Sequence, residues 1–115
     1  MLLNDGELDG RRYLKAATLK QMTSNQLGDL PKVSFAPGMH MGLGFHVVAQ
    51  PQEVTESLSV GTFGHGGAFA THGFIDPERK LVTVFMVQNV LVTGGGEARK
   101  AFHDELNRAL GAAKP

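Results

Sequence analysis

Hydrophobic and polar positions are patterned most strongly in the second half of the chain, where they predict a sheet closed by a helix. Over Leu81–Gln88 apolar residues fall on both parities. Leu81, Phe85 and Val87 share one face and Val82, Val84 and Met86 the other, as in a strand covered on both sides. Gly67–Ile75 predicts the strand before it, joined through the turn Asp76-Pro77-Glu78-Arg79, with proline in a favoured turn position. Leu58–Phe63 predicts the start of a third strand. Gly42–Val48 predicts another, with Leu43, Phe45 and Val47 pointing one way and Gly44, His46 and Val48 the other. The period then lengthens. Over Glu97–Leu110, Ala98, Ala101, Phe102, Leu106, Ala109 and Leu110 form one helical stripe, with His103, Asp104 and Glu105 assigned to its solvated face. Glu97 suits the positive N-terminal end of that helix, and Gly111 stops it.

The first half is less regular. Met1–Asn4 has the pattern of a helix tail running into an Asn-Asp-Gly stop. Arg11–Leu14 predicts a short extended piece. Ala16–Ser24 predicts a short helix, with Leu19 and Met22 three apart on one face and Leu14 beneath. Gly28–Gly38 holds two prolines and two glycines, shows no period and reads as loop. Ala49–Ser57 is a polar, exposed connection, and Thr93–Gly96 a flexible joint. The expected architecture is α+β: an antiparallel sheet of three or more strands with the C-terminal helix packed on one face. Short helices, loops and one strand occupy residues 1–57, a three-strand antiparallel core 58–88, and the helix 97–110.

The chain has 115 residues, enough for one domain. At 42% hydrophobic and 19% charged it has the composition of an ordinary globular protein. Lys+Arg and Asp+Glu both number 11, so no net basic field gathers nucleic acid. No apolar run approaches the roughly 20 residues of a membrane-spanning helix. Absence of cysteine excludes a disulfide scaffold, a thiolate metal site and a cysteine nucleophile. The N-terminus lacks the basic and apolar regions of a signal peptide, and the sequence assigns no compartment.

Candidate chemistry concentrates in Gly61–Gln88. There His65-Gly66-Gly67 sets a side chain that titrates near neutrality beside two glycines, which let a ligand approach the backbone. Taken alone, His65 is more simply a strand histidine satisfied by local hydrogen bonds. The five histidines show no metal-binding spacing, and a continuous strand puts His65 and His72 on opposite faces; no metal and no cofactor is expected. Gly94–Gly96 precedes a helix but lacks phosphate-loop spacing. Met39 and Met41, flanking His40, are assigned to loop and core packing, and Asp76-Pro77 to turn chemistry.

The stretch FGHGGAFATHGFIDPERKLVTVFMVQ, followed by a glycine joint and an amphipathic terminal helix, resembles the C-terminal end of the serine β-lactamase-like hydrolases. This family includes class C β-lactamases, DD-peptidases, D-aminopeptidases and esterases. MLLNDGELDGRRYLKAATLKQMTSNQ and GMHMGLGFHVV resemble the family's preceding segments, so the likeness covers about residues 1–111. Its members carry a K-T-G or H-x-G triplet on the sheet edge beside the active site, and His65-Gly66-Gly67 matches the second form. The resemblance implies that His65 contacts the substrate or assists proton traffic. It implies that Gly66 and Gly67 leave room for the substrate along the strand. It also implies that the Ala68 backbone N–H is one of two oxyanion-hole donors.

The nucleophile of the family is absent. An S-x-x-K motif supplies its serine and lysine, but Ser24 is followed three residues on by Leu27, Ser34 by Pro37, Ser57 by Val60 and Ser59 by Thr62. The second motif, Y-x-N, is also missing, since the single tyrosine, Tyr13, lies in Tyr-Leu-Lys. The expectation is a single partial domain over residues 1–115: the C-terminal part of a hydrolase acting on an ester, amide or β-lactam, inactive alone. The expected partners are a small acyl substrate in the parent and either the missing N-terminal part or further copies of the chain, through an exposed edge and apolar face. The competing expectation is a non-catalytic binding module built on the same sheet.

Overall fold

The computed structural model describes residues 1–30, 36–89 and 95–111. Its centre is a five-stranded antiparallel sheet in the order β3-β4-β5-β6-β7, each strand beside its neighbour in sequence. The strands are β3 (Met39–Met41), β4 (His46–Val48), β5 (Phe63–Gly66), β6 (His72–Asp76) and β7 (Leu81–Phe85). A small hairpin, β1 (Glu7–Leu8) with β2 (Arg11–Arg12), and the helix α1 (Ala16–Met22) precede the sheet; α2 (Gly95–Ala109) follows it. The expected α+β class is what the chain adopts. The hairpin turns on Asp9-Gly10, both left-handed at φ 51° and 72°, the conformation that makes Asp-Gly a two-residue hairpin signal. Met1–Asn4 forms one 3₁₀ turn, Leu2–Asn4, ended by left-handed Asp5.

Four strands are shorter than their patterns, and the last of them, β7, ends at Phe85 rather than Gln88. Gly42–Val48 gives a strand only over His46–Val48, because Gly44 turns left-handed at φ 77° and the alternation breaks there. Leu43 is consequently exposed rather than on a face with Phe45 and Val47. Leu58–Phe63 is strand only at Phe63; Leu58 is instead a buried core residue before the left-handed turn at Gly61. Gly67–Thr71 is a turn and not strand, closed by the Gly67 N–H on the Thr71 carbonyl (2.7 Å) and the Ala70 N–H on the Gly67 carbonyl (3.1 Å). Within Gly28–Gly38, residues 31–35 lie outside the description, as do Thr93 and Gly94 of the expected Thr93–Gly96 joint, whereas Gly95 and Gly96 open helix α2 instead of forming a joint.

Register divides the sheet into two faces, since directly paired residues share one. His46, Gly64, Gly66, His72, Phe74, Thr83 and Phe85 fall on the face that meets α2. There Met39, Val48, Leu58 and Phe74 form the buried cluster, with Ala36 against it. Met39 is thus core, as expected, but on a strand rather than in a loop. On the opposite face Phe63 meets Phe45 edge-on, and Leu2 and Leu19 border the same hollow as Phe63. Farther along that face Val82 and Val84 are 55% and 57% exposed, so β7 is covered on one side and not both.

The inward face of α2 also differs from the apolar stripe. Ala98, Ala101, Ala109 and Leu110 are exposed, while His103 and Asn107 are buried beside partly buried Phe102 and Leu106. Polar partners explain the rotation. Asn107 donates to the Ser57 carbonyl (2.8 Å) and accepts from the Arg79 guanidinium. Asp104, expected on the solvated face, accepts from the Ser57 hydroxyl and from Lys100.

Candidate functional site

Strand β5 carries the His-Gly-Gly step to a place where the sheet opens. It is the middle strand of five, yet its ladder with β4 pairs only Phe63 with Val47 and Gly64 with His46. His65 and Gly66 therefore extend beyond that ladder, while on the other side they pair with Gly73 and His72 of β6. The backbone then enters the Gly67–Thr71 turn, which contains exposed Ala68. The sequence-derived site residues are thus contiguous at one strand end: His65 and Gly66 on β5, Gly67 and Ala68 in the turn.

The His65 ring is exposed, and its Nδ1–H donates to the Gly66 carbonyl at 2.5 Å. A carbonyl only accepts, so the neutral ring is the Nδ1–H tautomer and its Nε2 lone pair is left to act as base or acceptor. The ring stacks on His46, centroids 4.6 Å apart. Register assigns these two residues to opposite faces, but they meet because the β4 ladder begins at His46. Burial, and next the nearby His65, lower the His46 pKa from its ordinary value. His46 is part of the site although its place in an alternating strand pattern gave no reason to single it out.

The two glycines of β5 play different parts. A Cβ at Gly64 meets the Gly73 carbonyl oxygen at 2.0 Å, so that glycine is required by the sheet. A Cβ at Gly66 finds nothing nearer than the Thr71 carbonyl oxygen at 3.7 Å and an Arg99 guanidinium nitrogen at 3.9 Å. The bareness of Gly66 is not demanded by packing and is open to a ligand.

His72 and His103 make a second histidine pair, separate from His65. Their Nε2 atoms lie 3.1 Å apart, buried between Phe74, Phe85 and Phe102. Both Nδ1 atoms are buried with no partner among the described residues. Burial lowers the pKa of His72 to about 4, helped by His103 and Arg99. Burial likewise lowers His103 to about 4; Arg79 and Arg99 add to this and Asp104 opposes it. The expected opposite facing of His65 and His72 holds in the register, but across two paired strands rather than along one. Among the described residues, no group of three or more His, Cys, Asp or Glu has the geometry to hold a metal ion.

The described serines are committed elsewhere. The Ser59 hydroxyl donates to the buried Asp76 carboxylate (2.7 Å), the Ser57 hydroxyl to Asp104, and the Ser24 hydroxyl to the Gln21 carbonyl (3.2 Å). Asp76 also accepts from the Arg79 backbone N–H (3.0 Å) and the Arg79 Nε (2.6 Å). Its burial pushes the pKa up, but the Arg79 N–H, Ser59 and the Arg79 guanidinium outweigh this and hold the carboxyl below its ordinary range. Asp76 is a structural tie at the end of β6, in keeping with its assignment to turn chemistry.

The antiparallel meander with a terminal helix packed on one face is the α+β arrangement that the resemblance implied. The profile of the beta-lactamase family matches residues 1–108, and the chain belongs to that family. It is also similar to a larger mycobacterial protein, represented by the uncharacterized protein MT1414 of Mycobacterium tuberculosis strain CDC 1551 and Protein Rv1367c of strain H37Rv. With each it shares 31% identity over 98 residues, covering 77% of this chain. The chain spans only 24% of the length of these relatives.

Proposed function

We propose that this chain is the C-terminal part of an acyl-serine hydrolase domain, supplying one wall of the active site while the nucleophile comes from sequence upstream. The observation that carries this reading is the open strand end at His65–Gly66. An extended acyl substrate lies along this bare edge, main chain against main chain, as strand-adding peptides do. The Ala68 N–H, on the turn beyond, donates to the carbonyl oxygen as it gains charge, a type of contact worth about 3 kcal/mol in the transition state. The Nε2 of His65 accepts a proton or a hydrogen bond from the reacting group.

In the complete domain a serine Oγ attacks the acyl carbon and passes its proton to the adjacent lysine. The alcohol, amine or ring nitrogen departs with a proton, and water then cleaves the acyl-serine ester to release the acid. Esters, amides and β-lactams all meet this chemistry. The chain alone lacks that serine, and its hydroxyls at Ser57 and Ser59 are held by carboxylates in structural ties. The purified chain is expected to show no saturable turnover of p-nitrophenyl acetate or nitrocefin. Turnover that is abolished by changing Ser24, Ser34, Ser57 or Ser59 to alanine overturns the proposal.

A further inference from the structure

The side chains that α2 buries fully are polar. Among its described residues only His103 and Asn107 are buried, whereas its large apolar side chains, Phe102 and Leu106, are only partly so. A helix of 15 residues is marginal by itself in water, so α2 depends on what it docks against. Asn107 reaches the Ser57 carbonyl and the Arg79 guanidinium, Asp104 the Ser57 hydroxyl, and Lys100 the Glu56 carboxylate (3.3 Å). Those partners are loop and turn residues. His103 ties the helix to a strand instead, its Nε2 3.1 Å from that of His72 on β6, among Phe74, Phe85 and Phe102.

That contact fixes where the protons sit. One Nε2 is an N–H and the other a lone pair, so the donor ring is the Nε2–H tautomer and the acceptor ring the Nδ1–H tautomer. The Nδ1 of the donor ring is then a bare lone pair. Both Nδ1 atoms are buried with no hydrogen-bond partner among the described residues. A first added proton goes to the bare Nδ1 and makes an imidazolium whose new N–H has no acceptor. A second goes to the accepting Nε2, sets two N–H groups against each other and breaks the contact. Arg99 of α2 acts on both rings, while Arg79 of the β6–β7 turn and Asp104 of α2 act on His103. From β6 and β7 come the Phe74 and Phe85 rings. Two guanidinium groups against one carboxylate make each added proton costlier.

We propose that His72 and His103 form an acid-released latch, which holds α2 on the sheet while both rings are neutral and frees the helix, with the meander still paired, once they are protonated. The ladders from β3 to β7 contain no residue of α2, so they can outlast its departure. In the freed helix the rings meet water and titrate near their ordinary 6.5, against about 4 when docked. Docking is therefore whole above pH 6.5 and weakens as pH falls towards 4. The latch uses none of the residues of the acyl-binding wall and does not rest on the acyl-serine reading.

The test is hydrogen–deuterium exchange of the 115-residue chain at pH 7 and pH 5, corrected for the intrinsic pH dependence of exchange. Amides of residues 100–109 are expected to lose protection at least about tenfold at pH 5, and those of β6 less than about threefold. The double substitution His72→Phe with His103→Leu is expected to abolish this difference. Imidazole nitrogen shifts of the unaltered chain decide the matter if that variant fails to fold. They are expected to show one Nε2–H and one Nδ1–H ring at pH 7, with protonation of both tracking the loss of helix protection. Unchanged protection of α2 at pH 5 overturns the proposal. So does equal loss in α2 and β6, which marks unfolding of the whole chain, or protonation of both rings while α2 stays protected.

Discussion

A Cβ at Gly64 would stand 2.0 Å from the Gly73 carbonyl oxygen and 2.8 Å from the Phe74 Cα, both backbone atoms of the neighbouring strand. At Gly66 the nearest atoms are 3.7 and 3.9 Å away. Gly64→Ala should therefore force β5 from β6 and cost about 3 kcal/mol, whereas Gly66→Ala should stay within about 1 kcal/mol of wild type in urea unfolding. Equal losses at the two positions would mean that Gly66 is a packing requirement and not an open ligand step. The His-Gly-Gly triplet stood out in the sequence by its residue types alone, a histidine beside two glycines. The burden on Gly64 was not legible there, because it depends on register across the sheet. The same limit hid the His46–His65 contact, which arises only where one ladder ends.

Helix α2 shows what a period conveys and what it leaves out. Its existence and extent followed from spacing, and so did the stop at Gly111. Its inward face did not, since His103 and Asn107 counted as polar yet are buried by partners that come from β6, the β6–β7 turn and Ser57. The hairpin at Asp9-Gly10 shows the reverse, a clear local turn signal between segments too short to display alternation. The buried histidines give this helix a pH dependence. His72 faces His103 and Arg99; His103 also meets Arg79 from the β6–β7 turn and Asp104 from its own helix. Both folded pKa values are depressed from 6.5 to about 4, so the unfolded chain takes up protons first as pH falls. The pair's contribution is whole above pH 6.5, declines as pH drops towards 4 and is then lost. Urea unfolding followed by circular dichroism at pH 7 and pH 5 should show this decline. The double substitution His72→Phe with His103→Leu should flatten it; an unchanged slope would assign the acid sensitivity to other groups.

At the scale of the whole molecule, β7 is an edge strand without charged residues, and one of its faces is bare. Its apolar pattern on both parities predicted cover on both sides. The sequence was legible here as a statement about surroundings, and only half of those surroundings are supplied by the described residues. Among the described residues this edge and face have no partner, and we propose that the upstream part of the domain or another copy covers them, with zero net charge offering little opposition. The isolated chain should therefore associate with rising concentration in light scattering. Val84→Lys, on the exposed face, should reduce this without altering the circular dichroism spectrum. A monomer across the whole concentration range would show that this face needs no partner.

The central claim is that this chain contributes an acyl-binding wall to a hydrolase whose serine lies outside it. Labelling with a serine-reactive fluorophosphonate probe, located by mass spectrometry, tests it most directly when applied both to this chain and to the full-length protein that contains it. The account predicts no stoichiometric label on the isolated chain and, in the full-length protein, one labelled serine upstream of the segment beginning at Met1. A label on Ser24, Ser34, Ser57 or Ser59, or a full-length protein that takes no label while binding acyl ligands, would contradict it.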